Sequence, residues 1–195
     1  ILGLNEQFAA DTNPAKVNLG VGVYYDDAGK LPLLKCVQEA EKLLMEAPKP
    51  RGYLPIDGIA AYDKAVQGLV FGESSPLLAA GRVATVQALG GTGGLKVGAD
   101  FLRRFAPEAQ GWISNPSWEN HRALFTAAGF TVESYPYYDA ATGGLRFDDL
   151  LATFKTLPAR SIVVLHACCH NPTGVDLTQD QWRALVPVLR ERELL

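Results

Sequence analysis

The sequence has few cysteines, no excess of basic residues and no long apolar run. Its 195 residues include three cysteines, Cys36, Cys168 and Cys169. Because the number is odd and two are adjacent, we expect no disulfide framework and a reducing, cytoplasmic compartment. Lysine and arginine total 18 against 21 acidic residues, without the basic cluster that nucleic-acid binding requires. The longest strongly apolar run, residues 161–169, is about half a membrane span. We therefore expect neither a nucleic acid nor a membrane as partner.

Several catalytic and metal-binding motifs are also missing. There is no G-x-S-x-G nucleophile elbow and no H-E-x-x-H zinc motif. The glycine cluster at residues 90–94 does not follow the dinucleotide pattern G-x-G-x-x-G, and Lys96 follows Leu95 rather than the glycine of a P-loop. Residues 166–170 contain two histidines and two cysteines. Adjacent cysteines lack the spacing of zinc ligands, however, and no second ligand pair follows, so we expect no metal site.

The composition is that of an ordinary soluble protein, with 48% apolar and 20% charged residues. Two helices are predicted at residues 33–47 and 59–71, and from residue 82 strands alternate with helices. The predicted strands are 82–89, 112–114, 130–135 and 161–166. The predicted helices are 92–105, 117–128, which begins at a Ser117 cap, and 147–157. A last helix begins at a Thr178–Gln181 capping box, and Pro187 is expected to kink or shorten it. This order predicts an α/β domain with a mostly parallel sheet, whose site lies at the carboxyl ends of the strands.

Three of the strand-to-helix loops contain residues suited to ligand binding. Gly90–Gly94 runs into a helix and has the composition of a phosphate cradle, with Thr92 adding a hydroxyl, or it is a tight turn without a ligand. Trp118, three residues before His121, is placed to stack on a flat aromatic ligand, or it is a core tryptophan beside a surface histidine. Asn171 offers an amide to a ligand oxygen, or it forms a plain Asn-Pro turn.

Two further segments precede this region. Residues 18–24 are predicted to form an apolar strand in which Gly20 and Gly22 mark close approach of a ligand or a bulge. Tyr53 lies in a linker between helices, where its hydroxyl is either functional or covers the core.

Taken together and in this order, these segments resemble the class I aminotransferases of the aspartate/aromatic-amino-acid subgroup. The resemblance covers essentially the whole chain. It rests on residues 18–24 (NLGVGVY), 52–58 (GYLPIDG), 90–93 (GGTG), 114–121 (SNPSWENH) and 170–174 (HNPTG). Residues 53–55, 118–121, 145–153 and 156–162 look more like the aromatic-amino-acid (tyrosine) aminotransferases than the strict aspartate enzymes.

The resemblance implies a role for each loop in binding pyridoxal 5′-phosphate (PLP). Gly91 and Thr92 would hold the phosphate, Trp118 would stack on the ring, and Asn171 would hydrogen-bond the phenolic oxygen. Tyr53 would reach the phosphate of the partner subunit's cofactor in a homodimer. Gly22 would offer its backbone to the substrate α-carboxylate, and Trp118 and Asn171 would also bind the substrate. His121 and His166 would surround the acid that binds the pyridine nitrogen.

The sequence departs from the family in what it lacks. The family requires a lysine that forms a Schiff base, in a Ser-x-Ser-Lys context followed by an arginine. None of the eight lysines here has that context: Lys16, Lys30, Lys35, Lys42, Lys49, Lys64, Lys96 and Lys155. We therefore interpret the chain as the N-terminal half of an aminotransferase, inactive alone. A smaller departure is Gly94, where a small side chain is more usual and glycine costs up to ~1 kcal/mol of helix stability.

The implied fold is the fold-type I PLP-dependent transferase, with a mostly parallel sheet, helices on both faces and an incomplete large domain. Residues 1–30 would contribute to a small domain, and residues 31–195 would form the N-terminal part of the large one. The implied reaction moves the amino group of an aromatic amino acid or aspartate to 2-oxoglutarate. The alternative, prompted by the absent lysine, is a non-catalytic α/β module that binds a phosphorylated ligand through Gly90–Gly94.

Overall fold

The computed structural model describes residues 2–18, 20 and 22–195. They form two compact units, residues 1–53 and 54–195. In chain order the elements are α1 (Leu2–Ala10), α2 (Lys35–Glu46), α3 (Ala60–Phe71), α4 (Pro76–Ala79), α5 (Gly90–Phe105), β1 (Gly111–Asn115), α6 (Glu119–Ala127), β2 (Val132–Pro136), β3 (Tyr138–Asp139), β4 (Gly144–Leu145), α7 (Phe147–Thr156), β5 (Ile162–Val163) and α8 (Gln179–Glu191). Within these described ranges, no helix is both long enough and apolar enough to cross a bilayer.

The first unit contains α1 and α2, and the described residues between them form turns and irregular chain. The predicted helix at 33–47 is confirmed as α2, whereas α1 was not predicted. The strand predicted at residues 18–24 is wrong for the described part, Asn18, Gly20 and 22–24, while Leu19 and Val21 lie outside the described residues. A strand needs a hydrogen-bonded neighbour, but the Gly20 N–H donates locally to the Asn18 side chain, 2.9 Å away.

The second unit is built on a three-stranded parallel sheet with the order β2-β1-β5. Gly111 pairs with Val132 on one side and with Ile162 on the other. A separate antiparallel pair, β3 and β4, follows β2. Because all three sheet strands run in the same direction, the chain leaves each of them at the same edge.

Alternate side chains of the strands pack into two cores on opposite faces of the sheet. Ile113, Val132 and Ile162 pack with Ala99 of α5 and Phe125 of α6. On the other face, Trp112, Tyr135 and Val163 pack with helices α7 and α8 through Leu150, Phe154, Leu185 and Val188. The predicted α/β fold, with a parallel sheet between helices, is therefore confirmed.

The strand predicted at residues 82–89 is wrong in this structure. The segment has no strand neighbour among the described residues, and Gln87 instead contacts the turn at residues 55–58. The Gln87 N–H donates to the Asp57 carbonyl at 2.9 Å, and its side-chain oxygen accepts from the Ile59 N–H at 3.0 Å. Gly58 has a φ of 99°, and a Cβ there would lie 2.3 Å from the Cβ of Gln87. The close approach of these two backbones thus requires glycine.

The helices follow the predicted order, with differences at their ends. The capping box at the start of α8 is confirmed, because the Thr178 hydroxyl and Gln181 bond each other's backbone N–H. Pro187 lies inside α8 without shortening it. Trp118 rather than Ser117 occupies the N-cap of α6, since the Ser117 hydroxyl bonds the His121 ring instead.

The remaining boundary differences concern the glycine loop and β5. Helix α5 begins at Gly90, so the predicted loop 90–94 is its first turn. Strand β5 spans only Ile162–Val163 of the predicted 161–166, although the Val164 N–H still donates to the Trp112 carbonyl at 2.9 Å.

Replacing Gly94 with alanine is expected to stabilise the protein. Gly94 lies within α5, and an added Cβ would meet only the Ala88 Cβ at 3.8 Å, an ordinary contact. Alanine also lowers the entropy of the unfolded chain, so G94A should raise the free energy of unfolding by about 0.5–1 kcal/mol. Urea denaturation of the protein that carries this chain measures the change in the free energy of unfolding.

Gly90 provides the matched control in the same turn. Its φ is +66°, a conformation that costs a residue with a Cβ about 1–2 kcal/mol. G90A should therefore be destabilising. If G94A were also destabilising, the assignment of Gly94 to an unstrained helical position would be wrong.

Candidate functional site

The loops that follow β1 and β5 bring four aromatic rings into contact. Trp118 and His121 come from the β1 loop and the first turn of α6, with ring centroids 5.4 Å apart. The His121 ring lies 5.2 Å from that of His166, which follows β5, and the His166 ring lies 4.5 Å from that of His170. The predicted residues Trp118, His121 and His166 therefore lie together at one sheet edge.

Asn171 lies at the end of this row of rings, directly after His170. The residue is exposed, and its side chain makes no hydrogen bond with any other described residue. Its amide is therefore available to a ligand. Trp118, at the opposite end of the row, is half-buried.

His170 is fixed on three sides, and it is only 2% exposed. Its Nε2 lies 2.8 Å from the Ser114 hydroxyl, at the end of β1, and its Nδ1 lies 2.7 Å from the Thr173 hydroxyl. Its ring stacks on Tyr137 with centroids 3.8 Å apart and planes 14° from parallel. Sequence reasoning gave His170, Ser114 and Thr173 no role, although all three lie in the segments that carry the family resemblance.

Two contributors to this region could not have been recognised from a motif. Tyr137 follows β2, and its hydroxyl donates to the Val175 carbonyl at 2.6 Å. Asp176 accepts the backbone N–H groups of Cys169 and His170, at 2.7 and 2.8 Å. These two N–H bonds hold the pKa of the Asp176 carboxyl below its ordinary value.

The three histidines are held in their neutral form. Burial lowers the pKa of His121, His166 and His170, because a charged imidazole loses its hydration in the protein. For His170 the pKa falls to about 4, with repulsion from His166 as a second cause. The Ser117 hydroxyl lies 2.8 Å from the Nδ1 of His121, which fixes the orientation of that ring.

One buried nitrogen in the row has no hydrogen-bond partner among the described residues. His166 Nδ1 is buried and unbonded, and such a group costs free energy unless something completes its hydrogen bond. It therefore marks a position where an additional polar group fits.

The first turn of α5 presents backbone N–H groups. Gly91 and Thr92 are exposed, and no side chain caps this end of the helix. An uncapped helix N-terminus favours an anion, because its N–H groups and dipole are unsatisfied. Within this first turn only Gly90 has a positive φ, and a Cβ on Gly91 would meet nothing within 4 Å.

An open cleft of about 860 Å³ lies beside this edge of the sheet. It is lined by Asn115, Ser117 and Trp118 of the β1 loop and by Arg122 of α6, among others. Trp118 thus borders both the cleft and the row of rings.

Tyr53 and Gly22 belong to the unit of residues 1–53, apart from the unit that contains the rings. Both are exposed, and their assigned roles stay predictions. No three histidine, cysteine, aspartate or glutamate side chains converge on a metal position within the described ranges.

Comparison with known proteins extends these observations. The family model described as "Aminotransferase class I and II" matches residues 14–195. An aspartate aminotransferase of Pseudomonas aeruginosa is 65% identical over 192 residues, which are 98% of this chain and 48% of that protein. An aromatic-amino-acid aminotransferase of Escherichia coli is 56% identical over 196 residues, covering 100% of this chain and 49% of that protein.

A solved structure is similarly close in fold. An aromatic-amino-acid aminotransferase from Burkholderia pseudomallei, described as covalently bound to pyridoxal phosphate, aligns with a TM-score of 0.92 and 64% sequence identity. The alignment covers 99% of this chain and 48% of that one. The chain thus spans about half the length of the relatives it matches.

The depressed histidine pKa values predict a loss of stability in mild acid. An unfolded histidine binds its proton near its ordinary pKa of 6.5, whereas folded His170 stays neutral down to about 4. Between these values the unfolded state binds more protons, so the free energy of unfolding falls as the pH falls. Urea denaturation at pH 7.5, 6 and 5 measures how steeply the free energy of unfolding changes with pH. H170Q should reduce this slope, because glutamine does not titrate.

Y137F is the control for that slope. It removes a hydrogen bond from the same loop without removing a group that titrates in this range. It should therefore lower stability by a similar amount at every pH. An H170Q protein with the wild-type slope would contradict the assignment.

Proposed function

Because the chain belongs to the aminotransferase class I and II family, we propose that the protein carrying it is a PLP-dependent aminotransferase. It moves the amino group of an aromatic amino acid or of aspartate to 2-oxoglutarate. The observation that carries this proposal is the row of rings from Trp118 to His170, which joins the β1 loop to the loop bearing Asn171. The chain matches relatives named for aspartate and relatives named for aromatic amino acids. The closer likeness of its motifs to the aromatic enzymes stays a prediction.

The residues at this edge, together with the start of α5, suit the parts of PLP. The uncapped start of α5, with Gly91 and Thr92, suits a phosphate. Trp118 offers a face for a flat ring, and Asn171 offers an unbonded amide for the phenolic oxygen. When bound, PLP supplies the electron-withdrawing ring on which amino-group transfer depends.

The histidines adjust the polar end of this site. His121 and His166 are neutral and in ring contact. The unbonded Nδ1 of His166 suits a hydrogen bond from, or to, the acid that binds the pyridine nitrogen. That acid, like the lysine of the Ser-x-Ser-Lys context, would come from residues outside this chain.

The roles of Tyr53 and Gly22 depend on the assembled protein. Tyr53 would contact the phosphate of the partner subunit's cofactor in a homodimer, and its full exposure in its own unit suits that role. Gly22, together with Trp118 and Asn171, would bind the substrate. Residues 1–30 would contribute to a small domain and 31–195 to the large one.

We further propose that this chain is inactive by itself, because none of its lysines has the Ser-x-Ser-Lys context. The protein would act in the cytoplasm, since its three cysteines are free. The second candidate function, a non-catalytic module that binds a phosphorylated ligand at Gly90–Gly94, is favoured by the same absence of the lysine.

Substitution of Trp118 tests the assignment of the ring site. Pyridoxamine 5′-phosphate is the suitable probe, because it carries the same ring and cannot bond covalently to a lysine. W118A should weaken its binding about tenfold through lost stacking, and W118F should retain much of the affinity. Isothermal titration of the natural polypeptide measures this, and unchanged affinity and turnover in W118A would remove Trp118 from the site.

Thr92 distinguishes the enzyme from the binding module. T92A should weaken binding of pyridoxamine 5′-phosphate about tenfold or more in either case, through loss of a hydrogen bond to a charged phosphate. Only the enzyme should also transfer an amino group to 2-oxoglutarate and retain PLP covalently after borohydride reduction. Phosphate-dependent binding without turnover or covalent retention would favour the module, and no binding at all would contradict both functions.

A further inference from the structure

The Asn171 side chain bonds to no other described residue, so within this structure only the position of its backbone limits where the amide reaches. That backbone belongs to the loop of residues 169–176. Asp176 accepts the N–H groups of Cys169 and His170, and the Gly174 N–H donates to the His170 carbonyl at 2.7 Å. The loop is therefore closed on itself on both sides of Asn171.

His170 is the residue that connects this closed loop to the sheet. Its Nε2 contacts Ser114 on β1, and its Nδ1 contacts Thr173 two residues beyond Asn171. The His170 ring therefore bonds to Thr173 within the segment that carries Asn171, and to Ser114 of β1. The loop that follows β1 carries Trp118. The stacked Tyr137 ring prevents His170 from tilting.

We infer that His170 is a positioning residue for Asn171. By bonding Ser114 and Thr173 together, it holds the Asn171 amide at a fixed distance from the loop that presents Trp118, so that one flat ligand contacts both. The inference rests on the proposed function, because it concerns the same PLP site.

The neutral state of His170 suits this task. A neutral imidazole has one donor nitrogen and one acceptor nitrogen, and each hydroxyl partner is able to donate or accept. Both bonds are therefore satisfied in either tautomer. A group with its pKa near 4 keeps this arrangement throughout the neutral range.

Two variants remove one bond each while leaving the imidazole in place. S114A removes the hydroxyl at Nε2, and T173V removes the hydroxyl at Nδ1 with little change in side-chain shape. Each should weaken binding of pyridoxamine 5′-phosphate to the natural polypeptide about three- to tenfold. Thr173 is only partly buried, so T173V provides the measurement if S114A does not fold.

A double-mutant cycle with N171A separates positioning from general loosening. If His170 acts through Asn171, then S114A and T173V should cause almost no further loss of affinity in the N171A background. S161A is the matched control: it also removes a buried serine hydroxyl and its hydrogen bond, to the Pro158 carbonyl at 2.8 Å, but Ser161 precedes β5 and lies outside the loop that carries Asn171. It should lower the melting temperature and leave the affinity unchanged.

The outcomes distinguish this inference from the proposed function. A wild-type protein that does not bind pyridoxamine 5′-phosphate overturns both. Wild-type binding with unchanged affinity in S114A and T173V overturns the role of His170 alone. Equal losses in the wild-type and N171A backgrounds, or an equal loss in S161A, also overturn it.

Discussion

Strand β1 pairs in parallel with β2 on one side and β5 on the other, and the arrangement of the second unit depends on this pairing. Parallel pairing places the ends of the three strands at one edge, which brings the loops bearing Trp118, His166 and Asn171 together. The alternation of side chains along the same strands sends Trp112 into one core and Ile113 into the other. The sheet is thereby covered on both faces, and the edge is left for a ligand.

The polar groups at this edge are stabilised by contacts with one another rather than by charge. All three histidines of the chain lie there, and burial keeps each of them neutral. Neutral imidazoles bond to hydroxyl groups of Ser114, Ser117 and Thr173 without the cost of burying a cation. These hydrogen bonds therefore do not depend on a charged imidazole, and a lowered pKa favours their persistence in the neutral range.

The sequence predicted the helices and the parallel sheet well, because helical stripes and capping residues are local signals. The capping box at Thr178 is an example. Strands at residues 18–24 and 82–89 were predicted wrongly, since a strand depends on a neighbour that the local pattern does not specify. Gln87 illustrates this: its backbone and side chain bond the turn at residues 55–58 rather than another strand.

The residues of the candidate site were likewise predicted only in part. Trp118, His121 and Asn171 were identified because their loops carry a recognisable order of motifs. The contacts of His170 with Ser114 and Tyr137 were not predicted, because these residues lie far apart in the chain and are brought together only by the sheet. Asp176 was also missed, since an aspartate that accepts two backbone N–H groups has no distinctive spacing.

The contact between Gly58 and Gln87 limits how this sequence is able to diverge. With the two backbones this close, residue 58 cannot acquire a side chain while residue 87 keeps its own. Residue 87 in turn supplies the oxygen that bonds the Ile59 N–H at the start of α3. Glycine is therefore required at residue 58 both by its φ of 99° and by the nearness of residue 87, so homologous sequences that keep this turn should keep glycine there.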